Sequence, residues 1–276
     1  MTLPKFLCIG AQKAGTSWLF ARMTEHPNVW MPPVKELHYF DHLFCPDNRK
    51  WTHWHLKVNA ARSLRWHTRG NNEIDWSFIS YLSDLARKEV FTAKWYARCF
   101  DRPGAKIKIP GDITPEYSTI PLEGVQFVHD SLPDVKIIYI IRDPVERALS
   151  QMRMNVERSK VEPTEKVLLG MCDGPDISNR GDYKSYVTNW ESVFPSNRLL
   201  IIPYGRIKKQ PAQVMKSIEN LLGLEHFASY KLHNREHSTQ QIDIPASVKE
   251  KLRDKFDSQY EFLTQRFGAD FLQECR

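Results

Sequence analysis

At 276 residues with 41% apolar side chains, the chain is long enough for one large α/β domain with a sizeable core. No window approaches the roughly eighteen consecutive apolar residues of a membrane span. Lys and Arg number 39 against 33 Asp and Glu, and the formal charge of +6 favours an anionic ligand or surface.

In chain order, Lys5–Ile9 reads as a first strand. It begins almost at Met1 with no charged-then-apolar leader, which places a complete chain in the cytoplasm and a trimmed one behind an upstream anchor. The loop IGAQKAGTSW follows, with Gly10 and Gly15 at G-x-x-x-x-G spacing and Thr16 and Ser17 after them. The lysine that follows the second glycine in an ordinary phosphate-binding loop is missing, and Lys13 stands inside the loop instead. A helix is expected from Ser17 to Glu25.

Residues 48–72 hold no acidic side chain but six Lys and Arg, with Trp51, Trp54 and Trp66 interleaved, and read as an insertion or lid. Further strands are expected at Lys106–Ile109, Lys136–Ile141 and Arg198–Pro203. The run KIIYII has no alternation, as suits a strand buried on both faces of a parallel sheet. Helices are expected at Pro144–Val156, capped by Asp143, at Tyr183–Phe194, and at Pro211–Leu222, ending on Gly223. Residues 246–274 carry a long apolar stripe and read as one C-terminal amphipathic helix. Cys8, Cys45, Cys99, Cys172 and Cys275 are scattered, without zinc spacing, and read as free thiols.

Strands alternating with helices imply a single α/β domain, 1–276, with a central parallel sheet flanked by helices on both faces. A strand, a glycine loop and a helix start form an anion site, because backbone N–H groups and the helix dipole both face the ligand. Lys13 can reach over a group bound there. The strand KIIYII ends in Arg142, a residue poor for a metal and good for a second anion. Two anion sites at neighbouring strand ends, with no metal, are therefore expected.

These residues resemble the sulfotransferase family that uses 3′-phosphoadenosine 5′-phosphosulfate (PAPS). The resemblance rests on Lys13-Ala14-Gly15-Thr16-Ser17-Trp18 as 5′-phosphosulfate loop, and on Arg142 with Ser150 in IIRDPVERALS as 3′-phosphate motif. It continues through KELHYFD (35–41), KWYARCF, GDITPEY and GDYKSYVTNWESVF. The segment KELHYFD is most similar to the carbohydrate (heparan-type) and bacterial branches. It implies Glu36 as catalytic base, with His38 and Asp41 in support and Lys35 near the sulfuryl group. The other branch takes its base from a histidine that KIKIPGD lacks.

The resemblance further implies a P-loop-NTPase-like fold, PAPS as co-substrate, 3′,5′-adenosine bisphosphate as product, and no metal. Trp18 fits adenine stacking or core packing equally, and Arg235 is a further 3′-phosphate contact. The acceptor is expected to be a carbohydrate, glycolipid or other small metabolite rather than nucleic acid. Two departures stand out: Ile113 replaces a lysine frequent before Thr-Pro, and Tyr204-Gly205 replaces a frequent Tyr-Glu. The alternatives are an ATP-dependent phosphotransferase and a non-catalytic nucleotide- or polyanion-binding module.

Overall fold

The computed structural model describes residues 2–70, 73–87, 89–234 and 241–276. Five parallel strands form one sheet in the order β2-β3-β1-β4-β5, where β1 is Phe6–Gly10, β2 Val29–Trp30, β3 Ile109–Ile113, β4 Lys136–Ile141 and β5 Leu199–Pro203. Every residue of β1 and all but the first of β4 are buried. Strands this apolar need cover on both faces, and helices provide it. The carboxyl ends of β1 and β4 lie side by side, with Gly10 in register with Tyr139.

Helix α1 (Thr16–Glu25) leaves the glycine loop, and α2 (Tyr39–Phe44) follows the KELH segment. Residues 49–70 of the basic insertion form one long helix, α3 (Arg49–Gly70), which packs on α4 (Trp76–Leu85). Two short helices, α5 (Ala93–Arg98) and α6 (Pro103–Ile107), lead into β3. The strand expected at 106–109 therefore lies at 109–113. Pro103 starts a helical turn that runs through Ile107, and the chain extends only after it.

Between β3 and β4 runs α7 (Leu122–Ser131); α8 (Pro144–Ser159) then leaves β4. The Asp143 carboxylate caps α8 by accepting from Glu146 N–H at 3.0 Å, and Pro144 opens the helix. Beyond it come α9 (Glu165–Cys172), α10 (Pro175–Asn179) and α11 (Tyr183–Val193), then, after β5, α12 (Tyr204–Lys209) and α13 (Pro211–Leu222).

The C-terminal stripe is three helices rather than one: α14 (Ala246–Lys255), α15 (Asp257–Phe267) and α16 (Ala269–Glu274). Its buried residues serve two cores. Val248, Leu252, Phe256 and Tyr260 pack with α8 and α9, whereas Leu263 joins the main core around the sheet. One straight helix does not face both, so the axis breaks at Phe256, and again at Gly268, whose φ of 90° suits glycine. All five cysteines are free thiols, and four are buried.

The last residues return to the sheet edge of the site. Asp143 N–H donates to the Cys275 carbonyl at 2.9 Å. Its carboxylate accepts from the Tyr260 hydroxyl at 2.8 Å and from Arg276 Nε at 3.3 Å. Among the described residues no helix is long and apolar enough to cross a membrane.

Candidate functional site

The glycine loop closes over the ends of β1 and β4. Ala11 N–H donates to the Ile140 carbonyl at 2.8 Å, and Lys13 and Gly15 both adopt left-handed backbone, with φ of 69° and 87°. A side chain at Gly15 would crowd Tyr204 and Ile207, and the positive φ is what favours glycine there. Arg142, the residue after β4, donates from Nη1 to the Lys13 carbonyl at 2.8 Å and stacks over the Tyr204 ring at 4.7 Å. The two expected anion-binding residues are thus wired to each other. Burial pushes the Lys13 ammonium down from its usual pKa, and the charges of Arg158 and Arg142 push the same way. An anion among these cations relieves that repulsion, so the loop fits a phosphate-bearing ligand. Ser150 lies two turns into α8, half-buried.

The second half of the site is the turn KELH before α2. Glu36 and His38 both have positive φ, 65° and 54°, a conformation that costs non-glycine residues about 1–2 kcal/mol each. The fold holds the turn from below. Leu37 N–H donates to Thr114 Oγ1 at 3.0 Å, and Tyr39 N–H donates to the Tyr117 hydroxyl at 3.1 Å. Thr114, Tyr117 and Tyr96 in turn donate to the buried Asp112 carboxylate, at 2.8, 2.7 and 3.0 Å. Burial pushes Asp112 up to about 6 although these hydroxyls favour its charged form.

Above that platform the charged groups converge. Lys35 Nζ pairs with Glu36 Oε1, while His38 Nε2 and His55 Nε2 each lie 3.7 Å from Glu36 Oε2. His38 Nδ1 is 3.0 Å from Asp41 Oδ2, which also accepts from Asn48 Nδ2 at 2.9 Å. Trp51 meets the His38 ring edge to face at 4.7 Å. Burial works against charge on both Glu36 and His38, and their partners overcome it. Lys35 and His38 hold Glu36 well below the carboxylate range, and Asp41 with Glu36 raises His38 to about 10. Burial and the His38 charge push His55 down to about 4.

Glu36, His38 and His55 bring one ligand atom each within 4.8 Å of one another, the outline of a metal site. Lys35 already neutralises the Glu36 carboxylate and Asp41 holds His38 as a cation, so neither offers a metal ion a free ligand atom. A cleft of about 220 Å³ opens beside Lys35, between α1 and α3, lined by Ser17, Phe20, Pro33, Asn59 and Arg62.

The fold thus brings Lys35, Glu36, His38 and Asp41 into one cluster and Lys13, Gly15 and Arg142 into another. Ser17 at the end of the loop and Lys35 of the turn line the same cleft, so the two clusters are neighbours. Ala14 and Thr16 are buried in the loop and helix start. Trp18 is buried, with its indole N–H donating to the Leu232 carbonyl at 3.0 Å. Arg235 lies outside the described residues. Sequence reasoning missed His55, Asn48, Arg158 and the Asp112 platform. The basic, aromatic segment did flag the neighbourhood of His55, although nothing in its spacing selects that histidine.

Residues 4–228 match the model of the Sulfotransferase family. The heparan sulfate glucosamine 3-O-sulfotransferase 6 of Mus musculus is 27% identical over 152 residues, covering 50% of this chain and 44% of that protein. The bifunctional heparan sulfate N-deacetylase/N-sulfotransferase 2 of Homo sapiens is 24% identical over 247 residues, covering 83% of this chain and 23% of that one. This chain spans less than half the length of either relative. A sulfotransferase from Alicyclobacillus acidocaldarius has the same fold, with a TM-score of 0.71 at 21% identity over the whole of both chains.

Proposed function

Because this chain belongs to the sulfotransferase family, we propose that it transfers a sulfuryl group from PAPS to a hydroxyl or amine of an acceptor, with Glu36 as general base. The observation that carries the reading is the adjacency of two clusters across one cleft, the loop with Lys13 and Arg142 and the carboxylate held in a strained turn. The donor supplies an activated sulfuryl group attached to a phosphate leaving group.

In this reading Lys13, with the N–H groups of Gly15 to Ser17, holds the 5′-phosphate and stabilises charge that grows there. Arg142 and Ser150 hold the 3′-phosphate. Glu36 takes the acceptor proton, and Asp41 fixes His38 beside it. Lys35 has two roles. Paired with Glu36 it keeps the carboxylate a weak base, and a bound anion competes for its ammonium. Losing that contact raises the basicity of Glu36 when an acceptor proton has to be removed.

A saccharide is the acceptor class this reading favours. The cleft beside Lys35 offers Asn59, Ser63 and Ser17 for hydroxyl groups and Phe20 for a ring face, and the two curated relatives carry heparan sulfate in their names.

Calorimetry with 3′,5′-adenosine bisphosphate against ATP and Mg²⁺, followed by sulfate transfer to a panel of sugars, phenols and lipids, tests the proposal. The bisphosphate should bind without metal, and Glu36→Gln should keep that binding while losing transfer by about a hundredfold or more. Failure of the bisphosphate to bind would sink the donor assignment. Undiminished transfer by Glu36→Gln would sink the base.

A further inference from the structure

Helix α3 has two unlike sides. Thr52, Leu56, Ala60 and His67 recur at four- and seven-residue intervals and are buried against the protein. The opposite side carries Trp54 and Trp66, 68% and 80% exposed, with Lys57, Arg65 and Arg69 exposed among them. At about 3.6 residues per turn these five fall within about one half of the helix circumference, and the two indoles stand about 18 Å apart along it. A third indole, Trp76 at 72% exposure, opens α4 near the end of α3, where Asp75 N–H donates to His67 Nε2 at 3.2 Å. Large apolar rings left in water on one side of a helix mark a surface that something covers.

The charges narrow the choice of partner. Helix α3 has six Lys and Arg and no Asp or Glu. Lys50 pairs with Asp47, and Arg49 donates to the carbonyls of His42 and Leu43. Lys57, Arg65 and Arg69 have no such partner among the described residues, so their charge calls for an anion. The outward side of a single helix is convex and gives a protein segment no groove. It also holds no carboxylate to accept from the hydroxyl groups that an anionic glycan brings with its charges. Lipid phosphates only accept, and Lys and Arg satisfy them fully. Indoles, in turn, settle at the boundary between headgroups and acyl chains.

We infer that the outer face of α3 docks the protein on an anionic membrane surface. Trp54 and Trp66 enter the interface, and Lys57, Arg65 and Arg69 meet lipid phosphates. The inference stands on this surface alone and does not depend on the donor or on Glu36. Asn59, Arg62 and Ser63 of the cleft lie on the flank of the same helix, so a docked molecule holds that cleft beside the headgroups.

Flotation with vesicles of phosphatidylcholine carrying about a quarter phosphatidylserine tests the docking, with phosphatidylcholine alone for comparison. The parent chain should float with the anionic vesicles only, and its indole fluorescence should shift to the blue. Lys57→Gln with Arg65→Gln should weaken binding by about tenfold or more. Trp54→Ala with Trp66→Ala should weaken it and remove the shift. All four side chains are exposed, so thermal unfolding should be unchanged in both variants, which separates lost docking from lost folding. Lys166→Gln with Lys216→Gln takes the same charge from exposed positions of α9 and α13 and should bind like the parent. Failure of the parent to float, undiminished binding by either α3 variant, or an equal loss in the α9 and α13 variant would overturn the docking. So would binding to soluble dextran sulfate in place of vesicles, which would assign the face to a polyanionic glycan.

Discussion

His38 shows how much one side chain's ionisation depends on the fold around it. Its pKa is raised to about 10, so its imidazolium contributes stability that is fully present below the unfolded value of about 6.5. That contribution falls away as pH rises from there through about 10. Denaturant titrations at pH 6, 8 and 10 should show the decline, and Asp41→Asn should remove most of it. At pH 7 the same substitution should cost about 3–5 kcal/mol, because it leaves a buried cation short of its partner. A flat profile in the parent protein would contradict the charge assignment. Lys35, Glu36, His38 and Asp41 could be singled out in the sequence because they fall in one motif, KELHYFD, that carries the family resemblance. His55 and Thr114 reach the same cluster from 14 and 73 positions beyond Asp41, and only the packing of α3 and β3 around the turn brings them there.

Elements were legible where burial alone dictates them. The runs of β1, β4 and β5 are apolar enough to read directly, whereas β3 carries Pro110, Gly111 and Asp112 in its middle and shifts from the place its sequence suggests. Gly111 belongs there because the Phe6 ring occupies the space of a side chain. The break between α14 and α15 was hidden for another reason: the apolar period continues across it while the core it faces changes. Gly205 gives the departure from Tyr-Glu a physical cause. A side chain at that position would overlap the carbonyl groups of Glu274 and Arg276 in and after α16. Gly205→Glu should therefore dislodge α16 and lower stability by about 2–4 kcal/mol, read from thermal unfolding. Proteolysis should also become easier after residue 267. An unchanged melting curve would show that α16 docks elsewhere.

For the whole molecule, part of the charge of +6 is gathered at the site: Lys13 lies in the field of Arg142 and Arg158, and Lys35 and Arg62 line the cleft beside it. Affinity for 3′,5′-adenosine bisphosphate should fall several-fold between about 0.1 and 1 M salt, as the Debye length shrinks from about 10 to about 3 Å. Calorimetry across that range checks it, and salt-independent binding would argue against a charge-built site. The clasp between Asp143 and the chain's last two residues adds a matter of timing. A ribosome releases β1 and the glycine loop before Arg142. Cys275 and Arg276, which fix the residue next to Arg142, emerge only after both. The nascent chain therefore carries its anion-binding loop for a time before the groups that steady Asp143 exist.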